Sequence, residues 1–181
     1  MKGALLPKPD GGWEAGFHGP SFDLSSIWND IVAKASDQGT ENNRMLDKVT
    51  LAVEFDKVWL DPKISIKKVS GTFARDQELW QTILLSSTVG LDTDVNLEVR
   101  PGADGNRTLS MRSNNAGTVL SMLDLYPNMI GGTLRIDGTY DDAAPGQPLK
   151  GIVSIKDYRV TNAPVLAHLL SIMALSGILD A

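Results

Sequence analysis

The residue types that most often carry chemistry are sparse in this sequence. The 181 residues include two histidines and no cysteine, which rules out thiolate catalysis, disulfides and cysteine-based zinc sites within them. His18 lies in "GFHGPSF", where a loop or strand-end position is favoured over a catalytic base. His168 belongs to an apolar segment without a second ligand, which favours a satisfied structural histidine over a metal ligand.

The acidic residues are grouped, but their spacing does not match a known cation loop. In "LDTDVNLE" the carboxylates alternate along the outward face of an expected strand, where water solvates them, and no glycine turn of the EF-hand type accompanies them. Asp137, Asp141 and Asp142 flank an expected transition from strand to loop. Local hydrogen bonding to the backbone is the favoured role of these three residues, and a weak cation site is the alternative.

Other catalytic signatures are missing as well. The Gly-Gly pairs at 11–12 and 131–132 lack the flanking residues of a phosphate-binding loop, and no serine stands in a GxSxG elbow. The sequence therefore predicts no catalytic residue, no metal site and no cofactor. It predicts that the protein is not an enzyme.

The charge of the chain argues against a nucleic-acid partner. The net charge is -5 at pH 7 and the isoelectric point is about 4.9, whereas phosphate backbones require clustered Lys and Arg. The basic groupings are Lys63 with Lys67 and Lys68, and Arg107 with Arg112. A solvated strand face is favoured for both groupings over a polyanion site.

Alternation of apolar and polar residues is the main structural signal. Residues 49–60 place Val49, Leu51, Val53 and Phe55 on one face, which is typical of a half-buried strand. A change of phase near Ser70-Gly71 predicts a bulge or bend. Similar strands are predicted in the segments 13–19, 64–75, 79–90, 91–100, 107–113, 132–142 and 150–160. The loops "PGADGN" and "AAPGQP" predict hairpins.

Three amphipathic helices are predicted between these strands. The first has Asp23 as its N-cap, the second begins at Asn114 or Asn115 and stops before residue 127, and the third is capped by Asn162. The segments "NAGTVLSMLDLY" and "NAPVLAHLLSIM" match in pattern, which indicates either a repeated strand-cap-helix unit or only shared capping residues. The apolar segment "APVLAHLLSIMALSGIL" is predicted to be a buried or docking helix and not a membrane span.

The C-terminal part of the chain resembles a known family. The order of elements in "LSMRSNNAGTVLSMLDLYPNMIGGTLRIDGTYDDAAPGQPLKGIVSIKDYRVTNAPVLAHLLSIMALSGILDA" is a strand ending in a polar cap, an amphipathic helix, a strand, a Pro-Gly loop, a strand and a helix. This order resembles the AsmA-like family of bacterial envelope proteins, particularly its YhdP-type members. The resemblance covers roughly the C-terminal half and includes no catalytic signature.

The resemblance implies lipid transfer. The family is similar to bridge-like lipid-transfer proteins, which are anchored in the inner membrane, extend through the periplasm and carry phospholipid toward the outer membrane along an apolar trough. The implied partners are phospholipid or another acyl-chain ligand, the remaining domains of the same larger chain, and other envelope proteins. Because residues 1–181 lack an anchor and are too few to span an envelope, we expect one AsmA-like domain that is a segment of a larger protein.

The expected fold is mainly β with helices, of the α+β class. It comprises a curved antiparallel sheet that forms a trough or half-barrel, with about three amphipathic helices packed on it or capping it. By alternation alone, the residues expected to line the lipid-binding surface are Leu51, Val53, Phe55, Val95, Leu97, Val99, Leu134, Ile136, Ile152 and Ile155. Ile152 and Ile155 fall on opposite phases of their strand. A non-catalytic scaffolding module of the envelope is the alternative function, because a closed core would show the same alternation.

Overall fold

The computed structural model describes residues 1–9, 11–25, 48–76 and 79–161. Within these ranges, nine strands form one sheet whose spatial order follows the chain from first to last. The strands are β1 (Lys2–Pro7), β2 (Trp13–Asp23), β3 (Lys48–Asp61), β4 (Ile64–Asp76), β5 (Leu79–Val89), β6 (Thr93–Pro101), β7 (Arg107–Ser113), β8 (Met129–Tyr140) and β9 (Leu149–Val160). The helix α1 (Ala116–Met122) lies between β7 and β8.

The predicted fold class is wrong. We expected an α+β fold with about three packed helices, whereas the described residues are mostly strand with one helix of seven residues. The first predicted helix falls largely on residues 26–47 and the third on residues 162–181, and both ranges lie outside the described residues.

The sheet also departs from the expected antiparallel pairing at one position. β2 pairs with β3 in parallel, from Trp13 opposite Val49 to Asp23 opposite Trp59. The other neighbouring strands in the described sheet are antiparallel. A parallel pair needs a crossover connection of about a dozen residues or more, and residues 24–47 provide that length.

The N-cap of α1 is confirmed. The Asn115 side chain accepts a hydrogen bond from the Thr118 amide at 3.1 Å, which satisfies one of the free donors of the first turn. The helix ends earlier than predicted, because Asp124 adopts a left-handed conformation with φ 56°. The amides of Leu125 and Tyr126 then bond back to the carbonyl of Leu120 and close the turn.

The predicted strands from residue 49 onward are confirmed with small shifts of their ends, and the predicted bulge lies slightly earlier than expected. The register of β4 against β5 shifts between Lys67 and Ser70, and Lys68 has φ 50°. Ile66 and Val69 are three residues apart yet both are buried in the same cluster, although strict alternation would place them on opposite faces. The bulge therefore keeps one side of β4 turned toward the core.

Strand β1 was missed. It has six residues, all of them exposed, and it ends at Pro7. The apolar patch in this segment is short, and the proline obscured the strand, although a proline at the end of an edge strand does not interrupt the ladder.

We predict that Gly117→Ala destabilises the protein. A Cβ at Gly117 would overlap the carbonyl oxygen of Met129 on β8. Overpacking of this kind costs about 1–3 kcal/mol. This cost opposes the gain of roughly 1 kcal/mol in helix propensity when alanine replaces glycine.

Gly16→Ala in β2 is the matched control, because its Cβ would meet nothing within 4 Å. Urea unfolding followed by circular dichroism should show a lower free energy of unfolding for Gly117→Ala alone. Equal effects of both substitutions would contradict the close packing of α1 on β8.

Candidate functional site

One face of the sheet carries two adjacent rows of apolar residues, and we call it the apolar face. Residues opposite each other on paired strands lie on the same face, so the register defines rows that cross the sheet. One row crosses all nine described strands and contains only glycine and apolar residues. Its members are Gly3, Phe17, Val53, Gly71, Leu85, Leu97, Met111, Ile136 and Val153.

A second row runs beside the first and has the same character. Its members are Leu5, Ala15, Leu51, Phe73, Ile83, Val99, Leu109, Gly138 and Gly151. Neighbouring strands are about 4.8 Å apart, so each row extends roughly 38 Å along the sheet. That length is more than twice the roughly 15 Å that one leaflet contributes to the hydrocarbon core of a bilayer.

The other face of the sheet carries a continuous polar row, and we call it the polar face. The row next to the first apolar row also crosses every described strand, and all of its members are polar or charged. They are Lys2, His18, Glu54, Ser70, Ser86, Asn96, Arg112, Arg135 and Ser154. The sheet is therefore amphipathic over its full described width, with water as the natural neighbour of the polar face.

Burial changes along the apolar face. Toward α1 the side chains are fully buried, and Phe55, Val95 and Leu134 belong to one cluster with Val119 of the helix, which is 0% exposed. In the middle of the sheet the first-row side chains are only half-buried, namely those of Val53, Leu85, Leu97, Met111 and Ile136. The helix thus covers this end of the apolar face at β6, β8 and β9, and the centre retains accessible apolar surface.

The structure places nine of the ten residues predicted for lipid binding on the apolar face. They are Leu51, Val53, Phe55, Val95, Leu97, Val99, Leu134, Ile136 and Ile155. Ile152 lies on the polar face opposite Asp137 and is 72% exposed. In the sequence "GIVSI" two apolar residues are adjacent, and only pairing with β8 shows that Val153 shares a face with Ile155.

Several members of the apolar face were not predicted. Phe17 lies in the glycine-rich β2, where few side chains alternate. Leu85 follows Leu84, which breaks the alternation because Leu84 is opposite Glu98 on the polar face. Met111 stands two residues after Leu109 in a regular pattern, so its alternation was a usable signal.

The prediction of a solvated strand face is confirmed for Lys67 and Lys68 and wrong for Arg107. Lys67 and Lys68 are exposed on β4, and Lys63 is exposed in the turn before that strand. Arg107 lies opposite Pro101, two positions along from the pair Val99 and Leu109, and therefore on the apolar face. Arg107 and Arg112 thus lie on opposite faces, and the side chain of Arg107 is only 9% exposed.

Arg107 makes a dense set of contacts at the end of the apolar face away from α1. Its Nη2 lies 2.7 Å from Oδ1 of Asp142 and 3.0 Å from Oε1 of Gln147, and its Nη1 donates to the Trp80 carbonyl at 3.1 Å. The guanidinium also lies 4.5 Å from the centre of the Tyr140 ring. These contacts connect β5, β7, β8 and the loop that follows β8, so this end of the apolar face is held by a buried ion pair.

Asp142 does not have the purely local role that was favoured for it. It accepts hydrogen bonds from the side chain and from the backbone amide of Arg107, 35 residues earlier in the chain. The hydrogen bond from the Arg107 side chain is the main cause that holds the pKa of the Asp142 carboxyl below its ordinary value of 3.8.

Among the described residues, no group of three or more His, Cys, Asp or Glu side chains is placed to hold a metal ion. In the same part of the chain, no helix combines the length and apolar character needed to cross a membrane. Comparisons with protein-family models, with curated proteins and with solved structures found no match to this chain. The candidate site is therefore defined by its own geometry.

We predict that Asp142→Asn destabilises the protein by about 3 kcal/mol near neutral pH, because it leaves the buried Arg107 without its counter-charge. The pKa of Asp142 is lowered on folding, so the contribution of its carboxylate is present above about pH 4 and is lost as the pH falls through the folded-state value. The difference in the free energy of unfolding between wild type and Asp142→Asn should consequently become smaller below pH 4.

Glu98→Gln breaks the exposed Arg100–Glu98 pair and serves as the control, with an expected loss of about 0.5 kcal/mol. Chemical denaturation at pH 7 and at pH 3 measures both effects. A loss for Asp142→Asn no larger than the control would show that the pair is not structural.

Proposed function

We propose that the apolar face binds the acyl chains of phospholipid, and that the protein acts as a lipid-binding and lipid-transfer segment. The observation that supports this proposal best is the apolar row that crosses nine strands without a polar side chain. Apolar residues that remain partly accessible across a contiguous surface are typical of binding sites. Each methylene that leaves water for such a surface contributes about 0.8 kcal/mol.

Transfer along this surface needs no covalent chemistry. Successive strands offer an acyl chain similar apolar neighbours, so moving by one strand replaces each contact with an equivalent one. The energy surface along the row is therefore nearly flat. A headgroup stays in water beside the sheet, because burial of its charge would cost far more than the acyl contacts return.

The setting proposed for this activity follows the resemblance to the AsmA-like envelope proteins. In that setting the protein belongs to an inner-membrane-anchored protein of the periplasm that moves phospholipid toward the outer membrane. The remaining domains of such a larger chain are the proposed partners. Consistent with this setting, β1 and β9 each have one neighbouring strand within the described sheet, so their outer edges are suited to pairing with further strands.

A non-catalytic scaffolding module of the envelope is the second candidate. The same free edges favour it, since an exposed strand can pair with a strand of another protein. β1 is exposed along its full length, and Leu5 and Leu6 are 60% and 61% exposed. In this reading the apolar face would bind protein side chains and would not exchange lipid.

We predict that phospholipid copurifies with the protein from a bacterial host and that Val53→Asp removes it, because a buried carboxylate beside an acyl chain is strongly unfavourable. Native mass spectrometry, followed by lipid extraction, measures the bound fraction. Ala52→Asp is the matched control, since Ala52 is the preceding residue of β3 and is exposed on the polar face. Val53→Thr keeps the shape of the side chain and should reduce the bound fraction less than Val53→Asp while preserving the fold.

A folded protein that carries no lipid in any of these forms would overturn the lipid proposal and favour the scaffolding module. Equal loss of lipid in Val53→Asp and Ala52→Asp would also contradict the proposed location, because the two side chains lie on opposite faces.

A further inference from the structure

The polar face contains an open depression of about 480 Å³. It lies across β6 to β9, and its charged lining residues are Arg112, Arg135, Lys156 and Asp94. Three cations and one carboxylate thus meet in a chain whose net charge is -5. The depression is consequently a local positive region on an acidic protein.

The two arginines of the depression share one anion of the protein. Arg112 and Arg135 are directly opposite each other on β7 and β8, and like charges in that position destabilise a sheet. Asp137 relieves part of this repulsion, because it accepts from Nη2 of Arg112 at 2.6 Å and from Nε of Arg135 at 2.5 Å. The hydrogen bonds from Arg135 and then from Arg112 hold the pKa of the Asp137 carboxyl below its ordinary value. One carboxylate is shared by two guanidinium groups, and a positive charge remains.

The donors that remain point to the class of ligand. Among the described residues, the two terminal nitrogens of Arg135 and the ammonium of Lys156 have no acceptor in the protein. The Ser154 hydroxyl and the Asn96 amide also line the depression. A planar guanidinium fork, an ammonium and a hydroxyl that line one depression match a tetrahedral oxyanion, which accepts several N–H and O–H bonds at once.

We propose that this depression binds a phosphate group, either free or as part of a lipid headgroup. Arg135 and Lys156 supply the charge-assisted hydrogen bonds, Ser154 supplies a neutral donor, and Arg112 adds positive charge from β7. Asp94 opposes the anion from the β6 side, so the ligand lies nearer to β8 and β9. The site is on the face opposite the acyl-binding surface and does not depend on that function.

The first test is a titration of the ¹⁵N-labelled protein with inorganic phosphate against chloride at equal ionic strength. The amide signals of residues 133–135 and 154–156 should shift and saturate with phosphate. Lys156→Gln and Arg135→Gln should each weaken binding about tenfold, the size expected for loss of one charge-assisted hydrogen bond. Lys150→Gln is the matched control, because Lys150 is an exposed lysine of the same strand and face that does not line the depression.

Sedimentation with vesicles of phosphatidylglycerol identifies the source of the phosphate. Binding of both probes, with loss in Lys156→Gln and not in Lys150→Gln, supports a general phosphate site, and binding of the vesicles alone with the same dependence assigns it to a lipid headgroup. Absence of saturable binding to either probe, or equal weakening by Lys150→Gln and Lys156→Gln, would overturn the proposal. Val53→Asp should retain phosphate binding, so failure of the acyl-binding proposal is separable from failure of this one.

Discussion

The register of the strands is the constraint on which the rest of the structure depends. Side chains alternate between faces, so a slip of one residue in any pair would exchange the apolar and polar sets on that strand. The first apolar row and the polar row beside it both cross all nine described strands without such a slip. At the irregularity around Lys68 in β4, the residues on either side of it, Ile66 and Val69, are both buried in the same cluster. Register therefore produces the two-faced sheet that the proposed function requires.

A two-faced sheet creates a problem of burial. A sheet with one apolar face is normally stabilised by a second layer, and in the described part of this protein α1 provides such a layer at one end only. At the opposite end the Arg107–Asp142 pair joins distant strands. Between α1 and the Arg107–Asp142 pair, the central side chains of the first apolar row are half-buried. An acyl chain is a suitable neighbour for such a surface, because it replaces water with hydrocarbon and needs no specific polar partner.

Local patterns predicted the strands well and the long-range features poorly. The clean alternation from Thr93 to Val99 located β6 and its buried face, because period-2 burial is encoded within a few residues. The parallel pairing of β2 and β3 could not be read locally, since it joins segments separated by residues 24–47. The burial of Arg107 depended on Asp142, which is distant in sequence.

The candidate site was predictable to the extent that alternation defined it. Nine of its ten predicted residues share one face, and the exception, Ile152, stands next to another apolar residue where the phase is ambiguous. In the described residues, the helix α1 was located by its capping Asn115, but its length was overestimated because nothing in the local pattern marked the left-handed Asp124. The phosphate site on the polar face had no signature in the sequence, because Arg112, Arg135 and Lys156 come together only through pairing of β7, β8 and β9.

The measurement that tests the central claim most directly is paramagnetic broadening of methyl signals by a nitroxide-labelled stearic acid. The account predicts selective broadening of Val53, Leu97 and Ile136, which lie on one row of the apolar face. Ile152 should remain sharp, although at 72% exposure it is more accessible to water than the half-buried Ile136. Broadening that increases with the solvent exposure of the side chain, so that Ile152 is affected most, would contradict binding of acyl chains to the apolar face.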